Sequence, residues 1–393
     1  MAAAPHTAPV QNVKHGGGGG GNARPREQSV SFVRGSGRGR YTFEVQSGLT
    51  IQAGAQDVGP IDIKAYDYMR SITLLVQTTA AGAGTSVAFT ADGPENVISY
   101  VRVKQPNGQT MYSVTSGFHA SMIDKLGFYR QFSDPRSSVN FSSVGGSAPT
   151  FSFVLRIPFE LDLRDALGAL PNKDAAAPFT LELGINPAAT VWSVAPTTSP
   201  TFKITPILEA YDQPPETLDG KPVDTTPPNM NTLQRWTEQT VTMVPGAFDA
   251  RVRKLGNYVR ELIFISKNSA GARIDTNGWA DPVQIVLDED VKDNLPLALW
   301  EQDIFEVWGY GGAVPNGAVI GRADVANGQN IGVWPYQYCV NERDNSVEEA
   351  AFYLPTIESE DYLLRAANWG SAVFKLTILK CEVLPRGDIF GDG

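Results

Sequence analysis

The sequence predicts an all-β chain made of two similar antiparallel sandwiches in tandem. Three observations carry this. At 393 residues the chain exceeds one small domain. Its 42% hydrophobic and 19% charged residues, with 38 Gly and 27 Pro, favour short strands joined by tight turns over long helices. Strand-like runs also recur in the same order on both sides of a proline-rich stretch.

The elements follow in chain order. Residues 1–40 form a low-complexity arm, with six glycines from Gly16 to Gly21 and then RGSGRGR from Arg34, too poor in apolar surface to order itself. Residues 41–211 hold the first sandwich: YTFEVQ from Tyr41, SITLLVQ from Ser71, SVAFT from Ser86, NVISYVRVKQ from Asn96, TFSFVLRI from Thr150, FTLELGI from Phe179 and TFKITPILEA from Thr201. Residues 212–235 form a linker with five prolines. Residues 236–385 hold the second sandwich: QTVTMV from Gln239, YVRELIFIS from Tyr258, PVQIVLD from Pro282 and AVFKLTILKCEV from Ala372. Residues 386–393 are a tail. Turns are expected at PNG (Pro106), NPA (Asn186) and NSAG (Asn268).

Two segments carry helical spacing. Phe118, Met122, Leu126 and Tyr129 share one face, as do Leu297, Trp300, Ile304 and Val307. Each follows a strand, so the halves can be laid side by side. YMRSITLLVQ from Tyr68 parallels YVRELIFISK, and NVISYVRV parallels PVQIVLDE. RIPFELDLRDALGA from Arg156 parallels YLPTIESEDYLLRA from Tyr353, and FTLELGI parallels VFKLTIL. Their common order implies a duplicated sandwich.

Charge is unevenly placed. The arm carries Lys14, Arg24, Arg26, Arg34, Arg38 and Arg40 against Glu27, a net +5, and the remainder is −15. An acidic body repels nucleic acid, whereas a basic arm can meet phosphates of nucleic acid or lipid headgroups. Those six residues are the candidate membrane or nucleic-acid contacts. No run of about 18 apolar residues is present and the start lacks a secretory apolar core, so a soluble, unexported protein is expected. Cys339 and Cys381 are too few for a disulfide framework or zinc site and are expected in the core.

No catalytic constellation emerges, and no cofactor or metal is expected. His119 is the one histidine beyond the arm, no G-x-S-x-G occurs, and a bland role on the polar side of a short helix is expected for it. The clusters LDEDVKDN from Leu287 and IESEDY from Ile357 lack the EF-hand pattern and read as solvated loops, with an occasional bound ion as the alternative. Asp92-Gly93-Pro94-Glu95 reads either as an acidic site or as the corner before a strand, and the corner is the simpler reading.

Two such sandwiches, each with a helix after an early hairpin, resemble the double jelly-roll major capsid proteins of tailless double-stranded DNA viruses with an internal membrane, most closely the tectivirus-like phages of the PRD1/adenovirus lineage. The residues carrying the resemblance are DGPENVISYVRVKQPNGQTMYSVTSGFHASMIDKLGFYRQFSDPR from Asp92, RIPFELDLRDALGALPN from Arg156, TFKITPILEAYDQP from Thr201 and GNYVRELIFIS from Gly256. The resemblance implies two upright jelly rolls per chain and a homotrimer of pseudo-hexagonal outline. It implies an icosahedral shell assembled in the host cytoplasm, with penton and minor capsid proteins as further partners. The arm would lie inside, near a lipid vesicle, although its glycine run departs from the amphipathic inner helix of some relatives. No enzymatic activity is implied. A minor capsid, spike or lectin-like receptor-binding protein on the same fold is the alternative, and a carbohydrate-active enzyme has no sequence feature in its favour.

Overall fold

The computed structural model describes residues 29–127, 134–228, 230, 232–253, 256–274, 279–309, 330–338, 353–370 and 374–384. The first half contains β1 (Arg38–Thr42), β2 (Gln46–Thr50), β3 (Gln56–Ile63), β4 (Tyr68–Ala80), β5 (Ile98–Lys104), β6 (Thr110–Val114), α1 (Gly117–Leu126), β7 (Ser142–Val144), β8 (Thr150–Pro158), β9 (Phe179–Ile185) and β10 (Thr201–Tyr211). The second contains β11 (Leu233–Met243), β12 (Phe248–Arg251), β13 (Tyr258–Asn268), β14 (Val283–Leu287), β15 (Asp290–Leu295), α2 (Leu297–Trp308), β16 (Val333–Gln337), β17 (Tyr362–Ala366) and β18 (Phe374–Leu384).

Alternating apolar residues make the strands two-faced. In β8, for instance, Phe151, Phe153, Leu155 and Ile157 are buried while Ser152, Val154 and Arg156 face outward. The first half pairs its strands as β1-β10-β4-β8-β7, with β2 continuing β1 along β10, and as β3-β9-β5-β6. The second half repeats both orders, as β11-β18-β13-β16 and β12-β17-β14-β15. The helices repeat too, α1 following β6 and α2 following β15. This is a double jelly roll.

The topology corrects two of the sequence parallels. Leu170-Pro171 pairs with the start of β4 and Leu354-Pro355 pairs with the start of β13, so GALPN matches FYLPT rather than RIPFELDLRDALGA matching YLPTIESEDYLLRA. The partner of VFKLTIL is TFKITPILEA, because both form the strand next to the central one, whereas FTLELGI matches YLLRA in β17. Strands of one pattern look alike, and only pairing tells them apart.

The second core is dominated by tryptophan. Trp279 stacks on Trp334 at 6.0 Å and meets Trp369 edge-on at 5.5 Å, while Trp300 lies 5.4 Å from Trp334. Cys381 is buried, and Cys339 lies outside the described residues.

Most sheet edges are blunted. Edge strand β3 carries Asp57, Pro60 and Asp62, β16 carries Pro335, β15 carries Asp290, Lys292 and Asp293, and β1 carries Arg38 and Arg40. Charge and proline at such positions oppose uncontrolled strand addition.

Candidate functional site: the seam between the two jelly rolls

The two rolls share one sheet. β6, the last strand of the first roll's second sheet, runs parallel to β11, with Tyr112 opposite Trp236. The sheet therefore continues unbroken from β3 to β16, and both residues are almost fully buried. The outward face of β11, β18 and β13, with Glu261, Ile263, Ile265, Leu379 and Cys381 at 0% exposure, lies inside the molecule.

Helix α1 packs on β8 of its own roll and reaches this sheet at β11, through His119 and Glu238, and at β13, through Arg260 and Gly127. Its first turn fits because Gly117 has no side chain, since a Cβ there would stand 2.1 Å from the Glu95 carbonyl oxygen. Ser116 caps it, accepting from the Phe118 N–H. All ten residues of α1 are buried, not one apolar face alone. At its end, the Gly127 carbonyl accepts from Arg260 Nη2 at 2.9 Å and the Leu126 carbonyl accepts from Trp308 Nε1 at 3.0 Å. Lys125 Nζ donates to Asp134 at 2.8 Å and to Asn330 at 2.5 Å. Tyr129 lies outside the described residues.

The Asp92 corner is part of the seam. Its carboxylate pairs with Lys267 at the end of β13 and lies 3.2 Å from Arg273 Nε. The Arg273 guanidinium sits 4.9 Å from the Phe118 ring centre, on α1. Glu95, also buried, pairs with Arg136 at 3.2 Å. The corner thus carries its acidic groups as inter-element clamps.

His119 does not sit on a polar side of its helix, because α1 has no solvent side. His119 is 5% exposed and its Nδ1 lies 3.0 Å from Glu238 Oε2 on β11. The Thr115 N–H donates to the same carboxylate at 2.7 Å, and the Thr115 hydroxyl donates to its other oxygen. Burial pushes the Glu238 carboxyl up, but the His119 and Thr115 donors outweigh it and hold the group below the ordinary range. Glu261 has the opposite balance. Full burial pushes it up to about 8, against the pull of Arg260 and Gln337.

The basic residues of the N-terminal region divide into two groups. Lys14, Arg24 and Arg26 lie outside the described residues. Arg34, Arg38 and Arg40 are exposed, on a segment that is already docked. Phe32 is buried between Tyr68 and Tyr211, at 5.1 and 5.5 Å, and Val30 exchanges backbone hydrogen bonds with Pro222 and Asp224 of the linker. Arg40 pairs with Glu209 at 3.2 Å, and Arg38 lies 5.5 Å from the Tyr211 ring centre. Val30 and Phe32 are packed on the body, with Phe32 supplying an apolar anchor within a polar stretch.

The acidic clusters meet each other. Asp288 Oδ1 accepts from the Glu360 and Asp361 N–H groups, so the carboxylate closes the junction of two loops.

No protein-family model and no curated protein matches the sequence. Solved structures do. The chain is similar to the STIV MCP at 13% identity and TM-score 0.58, over 91% of this chain and 100% of that one. It is similar to the PBCV-1 virus capsid protein at 9% identity and TM-score 0.54, over 88% and 93%. It is similar to the Faustovirus major capsid protein at 9% identity and TM-score 0.53, over 88% and 90%. At these identities the likeness is one of fold, and it extends over both rolls.

Proposed function

We propose that this chain is the major capsid protein of a tailless double-stranded DNA virus, assembling as homotrimers into an icosahedral shell. The observation that carries this reading is the end-to-end match of both jelly rolls to three capsid structures, with neither partner leaving a large domain unmatched. The seam supports it, since a shell tile has to hold its two rolls at a fixed angle. Blunted edges support it as well, because copies crowded in a shell need contacts set by side chains rather than by open strand addition.

The arm reading is refined by the docked segment. Phe32 fixes the base of the arm, and Arg38 and Arg40 are engaged by the body. Contact with inner lipid, at about 1 kcal/mol per basic residue near an anionic surface, or with nucleic acid then falls to Lys14, Arg24, Arg26 and Arg34. The protein acts in the virion as a structural element and not as an enzyme.

Native mass measurement and electron microscopy test the proposal. A trimer of about three times 42.4 kDa that builds closed shells is expected, and the chain should be the dominant band of purified particles. A monomer at assembly concentrations, or a faint band, would sink it.

A further inference from the structure

Three side chains from separate parts of the sequence meet around one nitrogen at the end of α1. Lys125 lies in the last turn of the helix, Asp134 precedes the single turn Pro135–Ser137, and Asn330 stands just before β16 in roll two. Lys125 Nζ is 2.8 Å from Asp134 Oδ2 and 2.5 Å from Asn330 Oδ1, although Lys125 and Asn330 are 205 residues apart. Both are buried, at 2% and 5% exposure. An ion pair accounts for the lysine and the aspartate. The third member is an electrophile, and it changes what the cluster can do.

Each of the three is held in place. The last turn of α1 is tied to roll two, with Arg260 Nη2 on the Gly127 carbonyl and Trp308 Nε1 on the Leu126 carbonyl. Asp134 Oδ1 accepts from the Arg136 N–H at 2.9 Å, while Oδ2 serves the lysine. The backbone carbonyl of Asn330 accepts from the Val333 N–H at 3.1 Å, which anchors the amide at the start of β16. A carbonyl bond is about 1.2 Å long, so Asn330 Cγ lies within about 3.7 Å of Nζ. Reacting atoms of near-attack conformers stand roughly 3–3.5 Å apart, and holding them there replaces a bimolecular encounter in water.

An amine and a primary amide exchange very slowly when free in solution. The cluster supplies what that exchange lacks, namely proximity, a proton carrier and cover from water. Asp134 is the carrier, and its side chain, 18% exposed, borders solvent where a small leaving group can depart. The carboxylate takes a proton from the Lys125 ammonium, and the freed lone pair forms a bond to Asn330 Cγ as the carbonyl electron pair moves to Oδ1. Asp134 then passes its proton to Nδ2 and takes another from Nζ. Return of the electron pair from Oδ1 restores the carbonyl and breaks the Cγ–Nδ2 bond. Lysine ammonium and amide become a secondary amide and ammonium, with no oxidant, reductant or further reactant.

We infer that Lys125 and Asn330 join in an isopeptide bond, with Asp134 as the proton carrier, so that the two rolls become covalently welded at their seam. The weld closes a loop of 205 residues. A cross-link over so long a loop restricts the unfolded chain strongly, and it keeps the rolls together when their packing opens.

Intact-mass measurement of the full chain in denaturant tests it, after the folded protein has stood overnight at physiological temperature. The expected mass is about 17 Da below that of the unreacted chain, one ammonia, and a digest should contain one branched peptide holding both Lys125 and Asn330. Lys125→Arg keeps the charge but offers no amine, Asn330→Ala removes the electrophile, and each should show the full mass. Asp134→Asn keeps an acceptor for the Arg136 N–H but takes up no proton, and should form the bond at least tenfold more slowly. A folded parent chain at full mass overturns the inference. So does a loss that survives in Lys125→Arg, as ring closure at an Asn-Gly pair such as Asn107-Gly108 would give. Joining at the parental rate in Asp134→Asn overturns the role given to the aspartate.

Discussion

Arg273, whose side chain is fully buried, holds its Nε 3.2 Å from Asp92 Oδ1 across the seam, in ion-pair contact without the alignment of a hydrogen bond. Lys267 reaches the same carboxylate. Removing the carboxylate leaves two cations facing each other in a poorly solvated site. Asp92→Ala should destabilise the protein by about 3 kcal/mol, less than the upper end for buried pairs because Asp92 and Lys267 keep some water. Denaturant unfolding would show it, and a change under about 0.5 kcal/mol would mean that the clamp is idle.

Glu261 makes the second prediction. Its folded pKa of about 8 lies above the ordinary 4.5, so between these values the folded state holds a proton that the unfolded chain has lost. Stability therefore falls as pH rises through that window. Glu261→Gln keeps the shape without the charge, and should gain on the parent from near zero at pH 4.5 to about 2–4 kcal/mol at pH 8. A difference independent of pH would contradict the assignment.

Glu238 gives the reverse sign. Its carboxyl is held below the usual range, so its contribution is present above the unfolded value of 4.5 and is lost as pH falls through the folded value. Glu238→Gln should cost about 1–3 kcal/mol at pH 7, and this deficit should shrink as both proteins are acidified toward pH 4. Paired urea titrations at several pH values measure it, and a deficit that grows on acidification would exclude the His119 and Thr115 account.

Phe32 anchors the base of the arm between two tyrosine rings. Phe32→Ala should free residues 30–37 at a local cost of about 3 kcal/mol while leaving the main melting transition nearly unchanged. Hydrogen exchange resolves the two effects. Unaltered protection at Val30 and Ser36, whose N–H groups bond Pro222 and Phe32, would show that the ring holds nothing in place.

The sequence allowed the duplicated all-β plan to be read, because TyrMetArg at 68 and TyrValArg at 258 open equivalent strands and each helix follows its hairpin. It misled where two neighbouring strands share one pattern, as FTLELGI and TFKITPILEA do against VFKLTIL. The seam was the least legible part, since Asp92, His119 and Glu238 have no local pattern and meet only through pairing. A trace did exist. The outward positions Glu261, Ile263, Ile265 and Leu379 are greasier than Ser71, Thr73, Leu75 and Ile207 taken together only by degree, yet the shift marks which of the two copies is covered within the chain.

The linker looks like a hinge, with five prolines and an exposed hairpin of Thr217-Leu218 against Lys221-Pro222 around Gly220. The shared sheet gives it a different standing. With β6 and β11 side by side and α1 wedged across the boundary, the halves are held by contacts that do not pass through residues 213–222. A protease cut beside Gly220 should then yield a nicked protein whose two fragments travel together, a chain broken in its covalent thread but whole as a solid body.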